Sequence, residues 1–345
     1  MLGGNPRRNH ILSRWIYKLA VGVVLAFLFI GTAPSMLCAQ EDGFGLHGAN
    51  DQVISDLASL GLPENSTLIE VSDRSPFQVA GHHPSSTSSD SRQWHLLPDG
   101  LLWDPYLAGP HESRMSLVIH QRTDDHQGYF WDSTLGGRVG LLRYGTDGSR
   151  GAQGWQWDLE GGVITRLNLE EAEDVESMDF RFGTLITMAD GPWSAKFGYF
   201  HISSHVGDEY LLRNPTHVRV NYVTESLITG VSYQKSDALR LYGEAALAVK
   251  ASGGAKPWQF QTGAEFIPPV TVAKKGGPFA AMNIDIREAV GFHPTFTLQT
   301  GWQWQGQQSG RRFRAGFQYL NGYTPQFSFF EDKEQSIGTG IWFDY

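Results

Sequence analysis

The chain has 345 residues, a net charge of −9, and 40 Gly, 11 Trp, 12 Tyr and 20 Phe. Hydrophobic residues make up only 41 %, too few for a helical membrane protein but suited to a β-barrel, which meets lipid with every second residue of a strand. The acidic balance argues against nucleic acid as a partner, since a binder of nucleic acid presents a basic face.

Arg7, Arg8, Arg14 and Lys18 precede an apolar run from Leu19 to Ile30, the pattern of an export signal occupying residues 1–39 and cleaved near Ala39 or Gln40. A retained membrane anchor is the alternative reading of this run. Cys38 is the one cysteine and falls inside the signal, so the mature chain carries no disulfide. No later segment is apolar for long enough to cross a bilayer as a helix.

Residues 40–112 form a short irregular N-terminal segment, either periplasmic or a plug. Asn50 to Leu60 could form one short helix, and His82 to Ser91 is a Pro/Ser/Thr/Asp tract read as a loop. His82-His83 reads as a solvated pair rather than a metal pair.

From residue 113 to Tyr345 the apolar period is two. Trp155, Trp157, Leu159, Val163 and Leu167 share one face of a strand, while Gln156, Asp158, Glu160 and Arg166 share the other. Trp193, Ala195, Phe197 and Tyr199 alternate with Ser194 and Lys196, and the pattern continues to Ile337, Thr339, Ile341, Phe343 and Tyr345. Aromatic ends on the apolar face, and charge on the other face in strand after strand, select a membrane barrel over a sandwich. Asp190-Gly191, Lys235 to Asp237, Lys274 to Gly277 and Gln305 to Gly310 read as tight turns. Ser204 to His217, Ala251 to Pro257 and Asn321 to Gln335 read as longer loops. The expected fold is all-β: an antiparallel up-and-down transmembrane barrel of about 12 strands in the bacterial outer membrane, its C-terminal aromatic strand ending on the periplasmic side.

Continuing the outward face of one strand past Tyr199 gives His201 and Ser203. Polar side chains facing lipid are costly without partners or a task. His-x-Ser on a strand sets both on one face, about 7 Å apart at the backbone, within reach of proton transfer. If Trp193 pairs with Tyr233, His201 lies opposite Glu225 and Ser203 opposite Val223. Glu225 is then the preferred group to orient the histidine, with Asn221 and Asn214 as alternatives. The competing reading makes His201, Ser203 and His205 a polar belt at the membrane edge. His205, Asp208 and Glu209 could hold calcium through hard oxygen ligands, though solvated carboxylates are the commoner outcome. Arg213 and Arg219 could bind lipid phosphates or pair with Asp208 and Glu209.

The YFHIS stretch from Tyr199 to Ser203 resembles outer-membrane phospholipase A and the lipid A deacylases. Those barrels carry an outward-facing His-x-Ser near the outer leaflet and a third Asn or Glu. The chain departs from them afterward, where Ser204-His205-Val206-Gly207 replaces the usual Asn-Gly. The run LLPDGLLWDPYLAGP from Leu96 to Pro110 with Arg114, SSHVGDEYLLRNP from Ser203 to Pro215, and RVNY from Arg219 to Tyr222 are similar to an uncharacterised bacterial family, domain of unknown function 1207. That resemblance implies an exported, barrel-like protein and supplies no activity.

The first functional reading is therefore an outer-membrane barrel with a structural or porin-like role. The alternative is a lipid esterase or deacylase using Ser203, His201 and Glu225. Outer-membrane lipids are the expected partners, no cofactor is required beyond calcium at most, and a homo-oligomer is compatible with the sequence.

Overall fold

The computed structural model describes residues 92–124, 127–269, 275–306 and 309–345. The signal, the Asn50–Leu60 helix and the His82–Ser91 tract lie outside them. Thirteen strands are present among the described residues. They are β1 (Gln93–Leu96), β2 (Met115–Arg122), β3 (Gly128–Gly145), β4 (Gly154–Asn168), β5 (Asp174–Asp190), β6 (Trp193–Val206), β7 (Val223–Gln234), β8 (Leu239–Ser252), β9 (Trp258–Phe266), β10 (Gly277–Arg287), β11 (Pro294–Gln305), β12 (Arg312–Tyr323) and β13 (Lys333–Asp344). A single helical turn and a half, α1 (Asp208–Arg213), lies between β6 and β7.

Strands β2 to β13 each pair antiparallel with their sequence neighbours, and β13 pairs with β2 from Ser336↔Arg122 to Phe343↔Met115. The sheet is thus a closed twelve-stranded barrel without an open edge. Strand β1 adds a short thirteenth pairing against the end of β3, where β2 no longer reaches.

Side chains divide by parity. Trp157, Phe197, Val231, Phe260, Trp302, Phe317 and Ile341 are exposed on the outer wall. Inside, Gln156, Asp158, Glu160, Lys196, Arg240, Glu265 and Arg314 are buried. A water-soluble protein has the opposite arrangement, and a barrel in lipid requires this one. Strand length agrees: 12 to 18 residues in most strands is enough to cross a bilayer at a tilt.

Connections fall on two rims. On the near rim, where Tyr345 lies, the β5–β6 turn is as tight as expected, with Gly191 at φ +54. Two expectations about length do not hold. β9 stops at Phe266, well before the turn expected at Lys274 to Gly277, and β10 begins at Gly277. The β8–β9 connection is only residues 253–257, because Gly253 and Gly254 take φ of +64 and +83 and turn the chain sharply. A Cβ on Gly253 would stand 2.1 Å from the Asn221 carbonyl oxygen, so that turn requires glycine.

Residues 97–114 fill the barrel. Trp103, Tyr106, Leu107 and Ala108 are buried, with Tyr106 stacked on Tyr242 at 3.8 Å. A segment without regular structure needs partners for its backbone, and the inward arginines supply them. Arg240 donates to the carbonyls of Asp104 and Pro105, Arg138 to that of Trp103, Arg314 to that of Leu107, and Arg143 to those of Asp99 and Gly100. The Leu107 N–H donates to Glu265 at 2.7 Å. Burial, then the Arg287 charge, holds the His111 imidazole down to about 3, so it is neutral where it meets the Pro325 carbonyl. The arginines are in turn neutralised by strand carboxylates: Arg138 and Arg181 by Glu160, Arg166 by Asp132 and Glu334, Arg314 by Asp344.

Candidate functional site

Strand β6 carries the polar trio at its far-rim end. Its inward residues Phe200, Ile202, Ser204 and Val206 are buried, so His201, Ser203 and His205 point outward. The inward face fixes this parity. Phe200 and Ile202 join an apolar cluster with Tyr222, Phe327 and Phe330, while Ser204 donates to Asp179 and meets Ser328 Oγ at 2.6 Å.

The expected register holds throughout β6–β7. Trp193 pairs with Tyr233, His201 with Glu225 and Ser203 with Val223. Glu225 Oε1 stands 3.1 Å from His201 Nδ1, and Tyr199 donates its hydroxyl to Glu225 Oε2. The pairing of β7 with β8 shifts by one residue between Glu225 and Ser226, a bulge that sets Glu225 beside Lys250. Both oxygens of Glu225 are therefore engaged, and the carboxylate is fixed behind the imidazole. Since the carboxylate accepts, Nδ1 of His201 carries the proton and Nε2 of the neutral ring is left as an acceptor. Among the described contacts, neither Asn221 nor Asn214 meets His201. Asn214 ends α1 and donates to the Tyr210 carbonyl, and Asn221 is exposed, its own backbone carbonyl accepting from Ser252.

Sequence reasoning missed the immediate partner of Ser203. Its Oγ lies 3.1 Å from Nε2 of His205, not of His201. His205 Nδ1 in turn meets Arg219 Nη2 at 3.2 Å. A guanidinium has donors and no acceptor, so Nδ1 accepts and the proton of a neutral His205 is on Nε2. His205 thus donates to Ser203, leaving the serine's own proton for another acceptor. The signal for this contact was present in the alternation, which puts residue 205 two places beyond 203 on the same face.

The remaining candidates separate. Arg213 pairs with Asp174 and, at 3.2 Å, with Glu176, rather than with Asp208 or Glu209. Asp208 and Glu209 occupy the first turn of α1. Among the described residues no group of three or more His, Cys, Asp or Glu comes together as a metal set.

Several solved barrels are similar to this chain at low identity. Outer membrane phospholipase A from Escherichia coli is 10 % identical over 69 % of this chain and 92 % of its own, with a TM-score of 0.45. A Salmonella typhi outer membrane phospholipase dimer with bound calcium is 9 % identical over 67 % and 90 %, at 0.44. A porin from Rhodopseudomonas blastica is 8 % identical over 68 % and 98 %, at 0.30. No curated protein matches the sequence. Residues 78–345, which include the whole barrel and every residue of the candidate site, match the family described as protein of unknown function DUF1207, and the chain belongs to that family.

Proposed function

We propose that the protein is an outer-membrane serine hydrolase that cleaves acyl esters of membrane lipids on the outer wall of its barrel. The observation that carries this reading is the 3.1 Å contact of Glu225 with His201 Nδ1, on a lipid-facing strand, two residues from Ser203. An acid, a base oriented by it and a nucleophile are then in one patch, with lipid as the adjoining phase.

Ser203 Oγ attacks the ester carbonyl carbon while His201 Nε2 takes the hydroxyl proton, and the carbonyl electron pair moves onto its oxygen. Collapse of this tetrahedral species expels the lipid alcohol, which takes the proton from His201. Water then repeats the sequence on the acyl-serine and releases the fatty acid and Ser203. Glu225 stays ionised and stabilises the imidazolium that forms in each half.

Replacing Glu225 with Ala leaves His201 without its orienting partner. Fatty-acid release is expected to fall by roughly 10³-fold, with the purified barrel still showing heat-modifiable migration on gels. Unchanged release in that variant would remove Glu225 from the mechanism.

A non-catalytic structural barrel is the second reading, favoured by one observation: Ser203 Oγ rests on His205. The porin-like version has less support. The space beside residues 108–114 is about 50 Å³, while spaces of about 630, 400 and 350 Å³ lie toward the rims. Planar bilayers containing the purified protein are expected to show no porin-sized conductance steps; such steps would revive the channel reading.

A further inference from the structure

The outward patch contains one more group aimed at the reacting atoms, and its proton is held in place from outside the strand. We infer that His205 is the oxyanion donor of this site and that Arg219 is the positioning residue that fixes it in the donating form. This rests on the hydrolase reading above.

The argument begins with what each nitrogen can do. Arg219 donates to His205 Nδ1 at 3.2 Å, and His205 Nε2 lies 3.1 Å from Ser203 Oγ. Both contacts are satisfied together by one neutral tautomer, with Nδ1 accepting and Nε2–H donating. An imidazole in that state cannot take a proton from Ser203, so His205 is excluded as the base even though it is the histidine in contact. The base is His201, whose Nδ1 faces an acceptor, Glu225, at 3.1 Å. The two histidines flank Ser203 on one face of β6 with opposite tautomers, each imposed by its second partner.

A donor within hydrogen-bond distance of the nucleophilic oxygen is also close to the oxygen that becomes negative when that nucleophile adds to a carbonyl. In the addition step the Ser203 Oγ–carbon bond forms, the C=O π pair goes to the carbonyl oxygen, and the Oγ proton goes to His201 Nε2. Nε2–H of His205 then donates to the new oxyanion in place of Oγ. The positive guanidinium on its far side polarises the imidazole in the same direction, and the effect is larger at a lipid wall than in water. Phe180 from β5 packs edge-on to the His205 ring at 5.7 Å and limits its rotation. Arg219 comes from the loop between α1 and β7 and reaches the patch from the far rim.

The test uses the full mature protein in detergent micelles, with a long-chain nitrophenyl ester for turnover and a fluorophosphonate probe for covalent labelling of Ser203. A phosphonyl adduct carries an oxygen in the oxyanion position, so labelling reads the same donor without turnover. His205→Ala is expected to lower kcat about 100-fold with KM within about twofold, the loss typical of one oxyanion donor, and to slow labelling in proportion. His205→Gln, which keeps a donor, is expected to recover part of that loss. Arg219→Ala is expected to lower kcat about tenfold, again with little change in KM, and Arg219→Lys to restore most of it. Heat-modifiable migration verifies folding of each variant. If wild-type protein turns over the ester and is labelled while His205→Ala matches it in both, the donor role is wrong and the hydrolase stands. If Arg219→Lys is as impaired as Arg219→Ala, the positioning role is wrong. If wild-type protein neither turns over the ester nor labels at Ser203, the parent reading fails and takes this one with it.

Discussion

Ser203→Ala is expected to abolish fatty-acid release from phospholipid or lipid A, by on the order of 10⁴-fold or more, with and without calcium. The barrel should still assemble. Ser203 is partly exposed on the outer wall, its side-chain hydrogen bond among the described residues is to His205, and none of the interior ion pairs named above includes it. Losing an exposed hydroxyl costs little stability, so a loss of activity would be chemical. His201→Ala should be comparable, and the double variant no worse than either, since the pair acts as one unit. The measurement is fatty acid released by purified protein in detergent. Undiminished release by Ser203→Ala would falsify the assignment of the nucleophile.

The second large effect is inside the barrel. Glu160 is buried and neutralises two guanidiniums, Arg138 at 2.5 Å and Arg181 at 2.8 Å. Glu160→Ala leaves both largely buried guanidiniums without this counter-ion. Removal of one member of such a buried set is expected to destabilise the folded barrel by about 3–5 kcal/mol. The urea midpoint, followed by tryptophan fluorescence in vesicles, should drop accordingly. Replacing Phe317 on the lipid face with Leu should leave the midpoint nearly unchanged, because it exchanges one apolar side chain for another where lipid is the neighbour. Equal midpoints for Glu160→Ala and the parent would mean that the interior pairs contribute nothing.

Most of the barrel was legible because a single physical rule governs it. Lipid outside and a polar interior force a period of two, and β4, β6 and β13 state that period in nearly every residue. The register of β6 on β7 followed from setting Trp193 at the level of Tyr233, and it carried Glu225 to His201. Other parts obey no period. Residues 97–114 satisfy their backbone with arginines from β3, β8 and β12, and the sequence spacing of those partners says nothing about their meeting. The tight turn expected at Lys274 to Gly277 does not follow β9 directly, because β9 ends at Phe266. The tautomer of Ser203's partner, His205, is set by Arg219, a loop residue that reaches back to the strand. Periodicity says which face a histidine occupies, and not which nitrogen holds its proton.

Ser203 and Ser204 are chemical twins facing opposite phases. The inner one, 1 % exposed, is tied to Asp179 and Ser328, and through them to the far-rim turn at Phe327–Phe329. The outer one inherits its position from that anchorage and owes little to its own surroundings. Selection can therefore vary outward positions of β5, β6 and β7 while the inward residues keep the scaffold standing. A wall so divided can evolve new chemistry on one side at small risk to the other.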